Sequence, residues 1–208
     1  MLILCDFDGT ITEEDITDLV WDPRVPPAER ARMNEDVLAG RIRMQEYIGR
    51  GYAFVHDSPA ALLDELRKTV RIRRGFHTFY EKLVERDIPF HVVSNGLDFY
   101  MRAFLPASVR LACFVARFEG GAYRVDLPPG VALAPGEEFK VNRVKHLRRL
   151  HRGPCVFVGD GRADFEPARL CDRVFAVEGS RLSQLCREAN TPAVEFRTFD
   201  DVATQLEL

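Results

Sequence analysis

No run of the 208-residue chain approaches the roughly 20 consecutive apolar residues that a membrane span requires. The first acid arrives at Asp6 and no basic residue precedes it, which is too early for the apolar region of a secretory leader, so none is expected. Five cysteines, Cys5, Cys113, Cys155, Cys171 and Cys186, are odd in number, widely spaced and without a Cys-x-x-Cys pair. Neither a disulfide framework nor a zinc knuckle is indicated, so each reads as a small apolar residue in a reducing, cytoplasmic setting. Repeats and tracts of Gln, Ser or Gly are absent, and 46% hydrophobic with 29% charged residues is the composition of a soluble globular protein. Charge of either sign is not in excess: 29 Lys and Arg against 32 Asp and Glu leave −3, with no overall attraction for nucleic acid or an anionic membrane. No basic stripe interleaved with aromatics appears either, so a nucleic-acid partner is not expected. The length fits one large domain, or a core with a small insert.

Short apolar runs alternate with helical patterns, as in a parallel sheet covered by helices, and an α/β fold is expected. Strands are predicted at Leu2 to Cys5, Phe90 to Val93, Cys155 to Val158, Val174 to Val177 and Ala193 to Phe196. The first three end at Asp-Phe-Asp-Gly-Thr, Ser-Asn-Gly and Gly-Asp-Gly. Ligands of open α/β sheets bind outside the carboxyl ends of strands, so these clusters are placed to converge on one crevice. The segment between the first two strands is far too long for a crossover, and a helical insert is assigned to residues 15–74, with the core at 1–14 and 75–208. Its helices are expected at Pro27 to Leu38, near Met44 to Gly49, and at Pro59 to Val70 behind an N-cap at Ser58. Gly75 to Arg86 reads as a core helix, and Cys113 to Phe118 with Tyr123 to Leu127 as a hairpin about Gly120-Gly121.

Asp6 and Asp8 are two apart on extended chain and project to one side. Two such acids resist full ionisation together, so either a divalent cation sits between them or one holds a proton ready to donate. An acidic turn capping the next helix would use the same residues. Gly9 permits the sharp turn and Thr10 can hydrogen-bond back into it. Asp160, with Asp164 behind it, adds carboxylates at another strand end, and an all-oxygen donor set suits Mg²⁺. Ser94, Asn95 and Gly96 offer a hydroxyl and backbone N–H groups, expected at the start of a helix, the polarity a phosphate oxygen prefers. Taken singly, Ser-Asn-Gly is an ordinary turn.

In order and context, Asp6-Phe7-Asp8-Gly9-Thr10, Ser94, a downstream lysine and Gly159-Asp160-Gly161 with Asp164 resemble the four motifs of the haloacid dehalogenase superfamily of phosphatases. The resemblance spans Leu2 to about Leu170, and a long helical insert between the first two motifs is similar to the phosphoserine-phosphatase-type subgroup. Ile72-Arg73-Arg74-Gly75-Phe76, Ile88-Pro89-Phe90 and Gly49-Arg50 look most similar to the phosphatases of methionine salvage. The resemblance implies a Rossmann-like core with an inserted cap, and a Mg²⁺-dependent phosphomonoesterase acting on a small phosphorylated metabolite. It implies Asp6 as nucleophile, Asp8 as acid and base, and Mg²⁺ on the Asp6 carboxylate, the Asp8 carbonyl and the Asp160 carboxylate. Thr10 and Asp164 would support them, with Asp164 ligating through water or orienting the set, and Ser94, Asn95, Gly96 and Lys140 would take the phosphate. Lys140 is preferred to Lys145 because it starts its helix and precedes Asp160 by twenty residues, in keeping with the family. Lys145, with Arg148, Arg149 and Arg152, reads as a solvated basic face.

Specificity would lie in the insert. Phosphoserine phosphatases carry a Glu and an Arg there to hold the amino acid; here Asp15 and a displaced Arg50 stand instead, and the second motif reads Ser-Asn-Gly rather than Ser-Gly-Gly. Phe54, Tyr52 and Met44 are either an apolar pocket for a thioether or the core of the insert. Arg73 and Arg74 read as surface charges. Alternatives are a phosphoserine phosphatase, a phosphotransferase, and a non-catalytic module that binds a phosphorylated ligand; nothing in the sequence speaks to oligomeric state.

Overall fold

Leu2, Ile3, Leu4 and Cys5 are all buried, as befits a strand covered on both faces. In the computed structural model, which describes residues 1–208, they form β1 (Leu2–Cys5) at the centre of one seven-stranded sheet. The other strands are β2 (Phe90–Leu97), β3 (Arg110–Glu119), β4 (Ala122–Asp126), β5 (Cys155–Gly159), β6 (Arg173–Val177) and β7 (Val194–Phe196). Their order is β4-β3-β2-β1-β5-β6-β7, and only β4 runs antiparallel to its neighbour. Ile3 pairs with Phe90 and Leu2 with Cys155, so β1 lies between β2 and β5 where the order of connection reverses. That reversal opens a crevice at the carboxyl ends of the three strands.

Between β1 and the next core helix lie α1 (Ile16–Trp21), α2 (Pro27–Leu38), α3 (Met44–Tyr52) and α4 (Pro59–Thr69). Ser58 caps α4 as expected, its side chain accepting from Ala61 N at 3.3 Å, and Pro59 occupies the first turn. Core helices follow: α5 (Phe76–Glu85), α6 (Asp98–Phe104), α7 (Phe139–Leu150), α8 (Phe165–Ala168), α9 (Arg181–Glu188) and α10 (Phe199–Gln205). Alternation along β1 sends Ile3 and Cys5 to one face and Leu2 and Leu4 to the other. The first face is the larger because Trp21, Ile48, Tyr52 and Leu62 of the insert continue it.

Three elements differ from expectation. β2 does not stop at Val93 but carries Ser94, Asn95 and Gly96 within the strand, through a register irregularity, to Leu97 opposite Phe114. Leu97 is fully buried in extended conformation, so α6 begins only after it and the triad is not at a helix start. The hairpin is no separate excursion, since β3 pairs with β2 as well and extends the main sheet. Helix α3 runs past Gly49 to Tyr52, because Gly51 lets the edge of Trp21 lie on the helix where a Cβ would stand 2.1 Å from the ring.

Candidate active site

After β1 the chain folds into a tight turn about one carbonyl: the amides of Thr10, Ile11 and Thr12 all donate to Phe7 O, at 3.2, 2.8 and 3.0 Å. Gly9 closes it with φ of +74°, and a Cβ there would stand 2.6 Å from Asp160 Oδ2, so the position needs glycine twice over. Thr10 is fully buried and donates its hydroxyl to Asp160 Oδ1 at 2.6 Å, tying the β1 turn to the end of β5. Lys140, on the first turn of α7, is 4% exposed and reaches Asp6 Oδ2 at 2.8 Å and Asp164 Oδ1 at 2.6 Å. Asp164 Oδ2 accepts the amides of Asp160 and Gly161 at 3.1 and 2.9 Å, so both its oxygens are engaged. Bonded in this way, Asp164 ties Lys140 to the β5 turn and so orients its neighbours.

The acids that remain are under-satisfied. Asp6 Oδ1 and Asp8 Oδ1 are buried without a hydrogen-bond partner, and ligand atoms of Asp6, Asp160 and Asp164 lie within 4.8 Å of one another. Burial, with the Asp164 carboxylate, raises the pKa of Asp6 well above the ordinary carboxyl range, against the opposing pull of Lys140. Burial pushes Asp8 up to about 8, helped by Asp15, and Asp160 up to about 7, helped by Asp164. Burial alone would lower Lys140, but Asp164 and Asp6 outweigh it and the net shift is upward, so the ammonium persists. One ammonium among three clustered carboxylates, two buried and one partly so, leaves an excess of negative charge that a hard divalent cation would relieve.

A cavity of about 220 Å³ opens over these groups, lined by Asp6, Asp8, Ser94, Asn95, Gly96 and Lys140 from the core and by Met44, Tyr47 and Ile48 from α3. The structure thus brings all nine sequence-predicted residues to one place, although Thr10 and Asp164 stand behind the others. Ser94 Oγ is not free: it donates to Asp8 Oδ2 at 3.3 Å and accepts Gly96 N–H at 3.0 Å. Of the candidate thioether pocket only Met44 faces the cavity. Tyr52 is sealed between Trp21 and Tyr123, Phe54 packs against the core, and Tyr47 and Ile48 line the space instead. Arg50 turns away to pair with Asp36 and Glu46 at 3.3 and 2.7 Å. Asp15 borders the cavity with Oδ1 capping α1, accepting from Asp18 N at 3.0 Å.

Arg73 is no surface charge. Half-buried, it donates from Nε to Thr10 O and from Nη2 to Gly9 O, both at 2.7 Å, bracing the turn that carries Asp8. Arg74 is exposed as expected. Tyr100 went unpredicted: its hydroxyl lies 3.2 Å from Asp8 Oδ2. No pattern within one helix turn could have signalled it, since its partner is 92 residues away.

Fold and site together define a hydrolase with its chemistry at the end of a central parallel strand, and residues 3–169 match the haloacid dehalogenase-like hydrolases. The chain belongs to that family and is a phosphatase. Over its full length it is 33% identical to a protein of Geobacillus kaustophilus (strain HTA426) named 2-hydroxy-3-keto-5-methylthiopentenyl-1-phosphate phosphatase, covering 96% of that relative. A protein of the same name from Geobacillus thermodenitrificans (strain NG80-2) is 32% identical with the same coverage. Among solved structures, a phosphoserine phosphatase in a phospho-aspartyl intermediate analogue form superposes with a TM-score of 0.70 at 17% identity, covering 98% of this chain and 97% of that one. At that identity the likeness is one of fold. No helix is long and apolar enough to cross a membrane.

Proposed function

We propose that the chain is a Mg²⁺-dependent phosphomonoesterase that works through an aspartyl-phosphate on Asp6, with 2-hydroxy-3-keto-5-methylthiopentenyl-1-phosphate as its substrate. The observation that carries the chemistry is the pair of partnerless buried oxygens, Asp6 Oδ1 and Asp8 Oδ1, beside a lysine bonded to the other oxygen of Asp6. The donor set fits a hard cation: the Asp6 carboxylate, the Asp8 carbonyl and the Asp160 carboxylate would hold Mg²⁺, with Asp164 orienting them. Bound there, the ion neutralises phosphate and nucleophile, which would otherwise repel one another.

Asp6 attacks phosphorus as the ester bond breaks, and Asp8 hands its proton to the departing alcohol oxygen. Asp8 then takes a proton from the water that hydrolyses the acyl phosphate. Such assistance is worth ~10² to 10⁴ in rate, and a carboxyl raised to about 8 is protonated for the first step at neutral pH. Lys140 holds one phosphate oxygen and favours the ionised form of Asp6 against the effect of burial; Ser94 turns its hydroxyl from Asp8 to another, with the Asn95 and Gly96 backbone alongside. Residues 15–74 act as a cap over a core of 1–14 and 75–208, admitting substrate when open and excluding water when closed.

The substrate assignment is supported by the names of the full-length relatives and by the cap surface. Met44, Tyr47 and Ile48 are the groups of α3 that face the cavity, and an apolar tail suits that wall; the adjoining cleft, about 860 Å³, is mixed, with Val37, Leu38, Val141 and Leu170 beside Glu137, Glu138, Lys145 and Arg162. The phosphoserine reading is weaker because a carboxylate would need a free cap cation, and Arg50 is paired elsewhere.

Purified protein with Mg²⁺ should hydrolyse an aryl phosphate, stop with EDTA, and lose turnover in Asp6→Asn with an unchanged circular dichroism spectrum. Persistent turnover in that variant would remove Asp6 as nucleophile. In a metabolite panel the methylthiopentenyl phosphate should exceed phosphoserine in kcat/KM; the reverse order would overturn the substrate assignment.

A further inference from the structure

Proton transfer by Asp8 leaves one neighbouring buried group without a role, the phenol of Tyr100 on α6. The side chain is sealed from solvent, its ring 6.2 Å from Phe7 in a stacked arrangement and 5.3 Å from Phe99 edge-on, so packing fixes where the hydroxyl points. It donates to Asp8 Oδ2 at 3.2 Å. The Ser94 hydroxyl reaches the same oxygen at 3.3 Å, whereas Asp8 Oδ1 is buried with no partner. Gly96 makes the arrangement possible, because a Cβ there would stand 2.1 Å from the Tyr100 hydroxyl and 2.5 Å from Asp8 Oδ2. The two oxygens of one carboxyl are therefore unlike.

We propose that Tyr100 is a positioning residue for Asp8: its hydroxyl pins Oδ2 as the accepting oxygen and so presents Oδ1 as the one that protonates the leaving group. The inference rests on the phosphomonoesterase reading and goes beyond it by assigning the oxygen and the group that selects it. Ser94 has a single hydroxyl proton, and once that turns to a phosphate oxygen Tyr100 is the donor that stays. The proton then passes from Asp8 Oδ1 to the ester oxygen as that oxygen takes the electron pair of its bond to phosphorus, and Asp6 forms the new bond. The phenol keeps its proton throughout.

Leaving groups separate this role from simple packing. An alkoxide departs poorly without a proton, whereas para-nitrophenolate departs readily without one. Tyr100→Phe removes the hydroxyl and keeps the ring. Its kcat/KM for n-butyl phosphate should fall about tenfold, the scale of one lost hydrogen bond to an ionisable group, while that for para-nitrophenyl phosphate stays within about twofold. The melting temperature, read alongside, should move by no more than a few degrees. Equal losses on both esters, or none on either, would overturn the role of Tyr100 and leave the phosphatase reading standing. A wild-type protein inactive on both esters with Mg²⁺ would overturn the reading and the role together.

Discussion

Arg73 shows how much one side chain far from the reacting atoms can govern. Its guanidinium bonds two consecutive carbonyls of the β1 turn, Gly9 and Thr10, and its own amide donates to Ile11 O at 2.7 Å. The turn is otherwise held by Phe7 O, by Gly9 N–H donating to Glu14 O at 3.0 Å, and by a short antiparallel bridge between Thr12 and Ile72. Removing the clamp in Arg73→Ala should cost about 2 kcal/mol, read as a lower urea midpoint, since charged donors to carbonyls contribute roughly 1.5–3 kcal/mol. It should also lower kcat by ~10 to 100-fold, because a small displacement of Asp8 is amplified at the reacting centre. Lysine should recover only part of either loss, as one ammonium does not reproduce a planar fork across two carbonyls. Unchanged kcat in Arg73→Ala would show that the turn holds its shape unaided.

At the scale of elements, the junction of α1 with α3 decides how α3 presents Met44, Tyr47 and Ile48 to the cavity. Trp21 ends α1 with its ring against α3, 5.1 Å from the Tyr47 ring and 6.0 Å from that of Tyr52. Gly51 provides the groove. Alanine is the better helix former by about 1 kcal/mol, but its Cβ would meet three Trp21 ring atoms at 2.1 to 2.4 Å in a fully buried site. Overpacking of that kind costs roughly 1–3 kcal/mol, so the clash should win. Gly51→Ala is expected to lower the melting temperature by about 3–8 °C and to raise KM as α3 is pushed out of place. A gain in stability would mean that the ring has room to shift.

For the whole molecule, the cluster of acids couples folding to pH and to cation. Asp8 and Asp160 titrate at about 8 and about 7 in the folded protein, against an ordinary value near 3.9 in the unfolded chain. The folded state holds protons that the unfolded chain has released. Their contribution is therefore complete below about pH 4 and is lost as pH rises through about 7 and 8. His91, held down at about 4 by burial and by Arg110 and Arg143, acts oppositely and only below about pH 6.5. Metal-free protein should accordingly melt several degrees lower at about pH 9 than at about pH 6.5, and Mg²⁺ should restore most of the difference by stabilising the ionised carboxylates. A melting temperature that is flat over this range without metal would contradict the burial of these acids.

Residue order alone determined β1, β5 and the first half of β2, with the clusters that follow them, because an apolar run, a turn glycine and a pair of acids two apart are local facts. That Asp6, Asp8, Ser94, Lys140 and Asp160 belong together was implied by the resemblance of their motifs, in order, to those of the haloacid dehalogenase-like phosphatases. Only the tertiary structure decided which groups around them are free. Asp164 is bonded by Lys140 and two amides, Arg73 turns inward, Tyr100 reaches Asp8, and Arg50 faces Asp36. Each of these depends on partners distant in the chain and on a few ångströms of packing, and no periodicity records that. The extension of β2 through Ser94 belongs with them: pairing with β3 and the burial of Leu97 override the local preference of Ser-Asn-Gly for a turn.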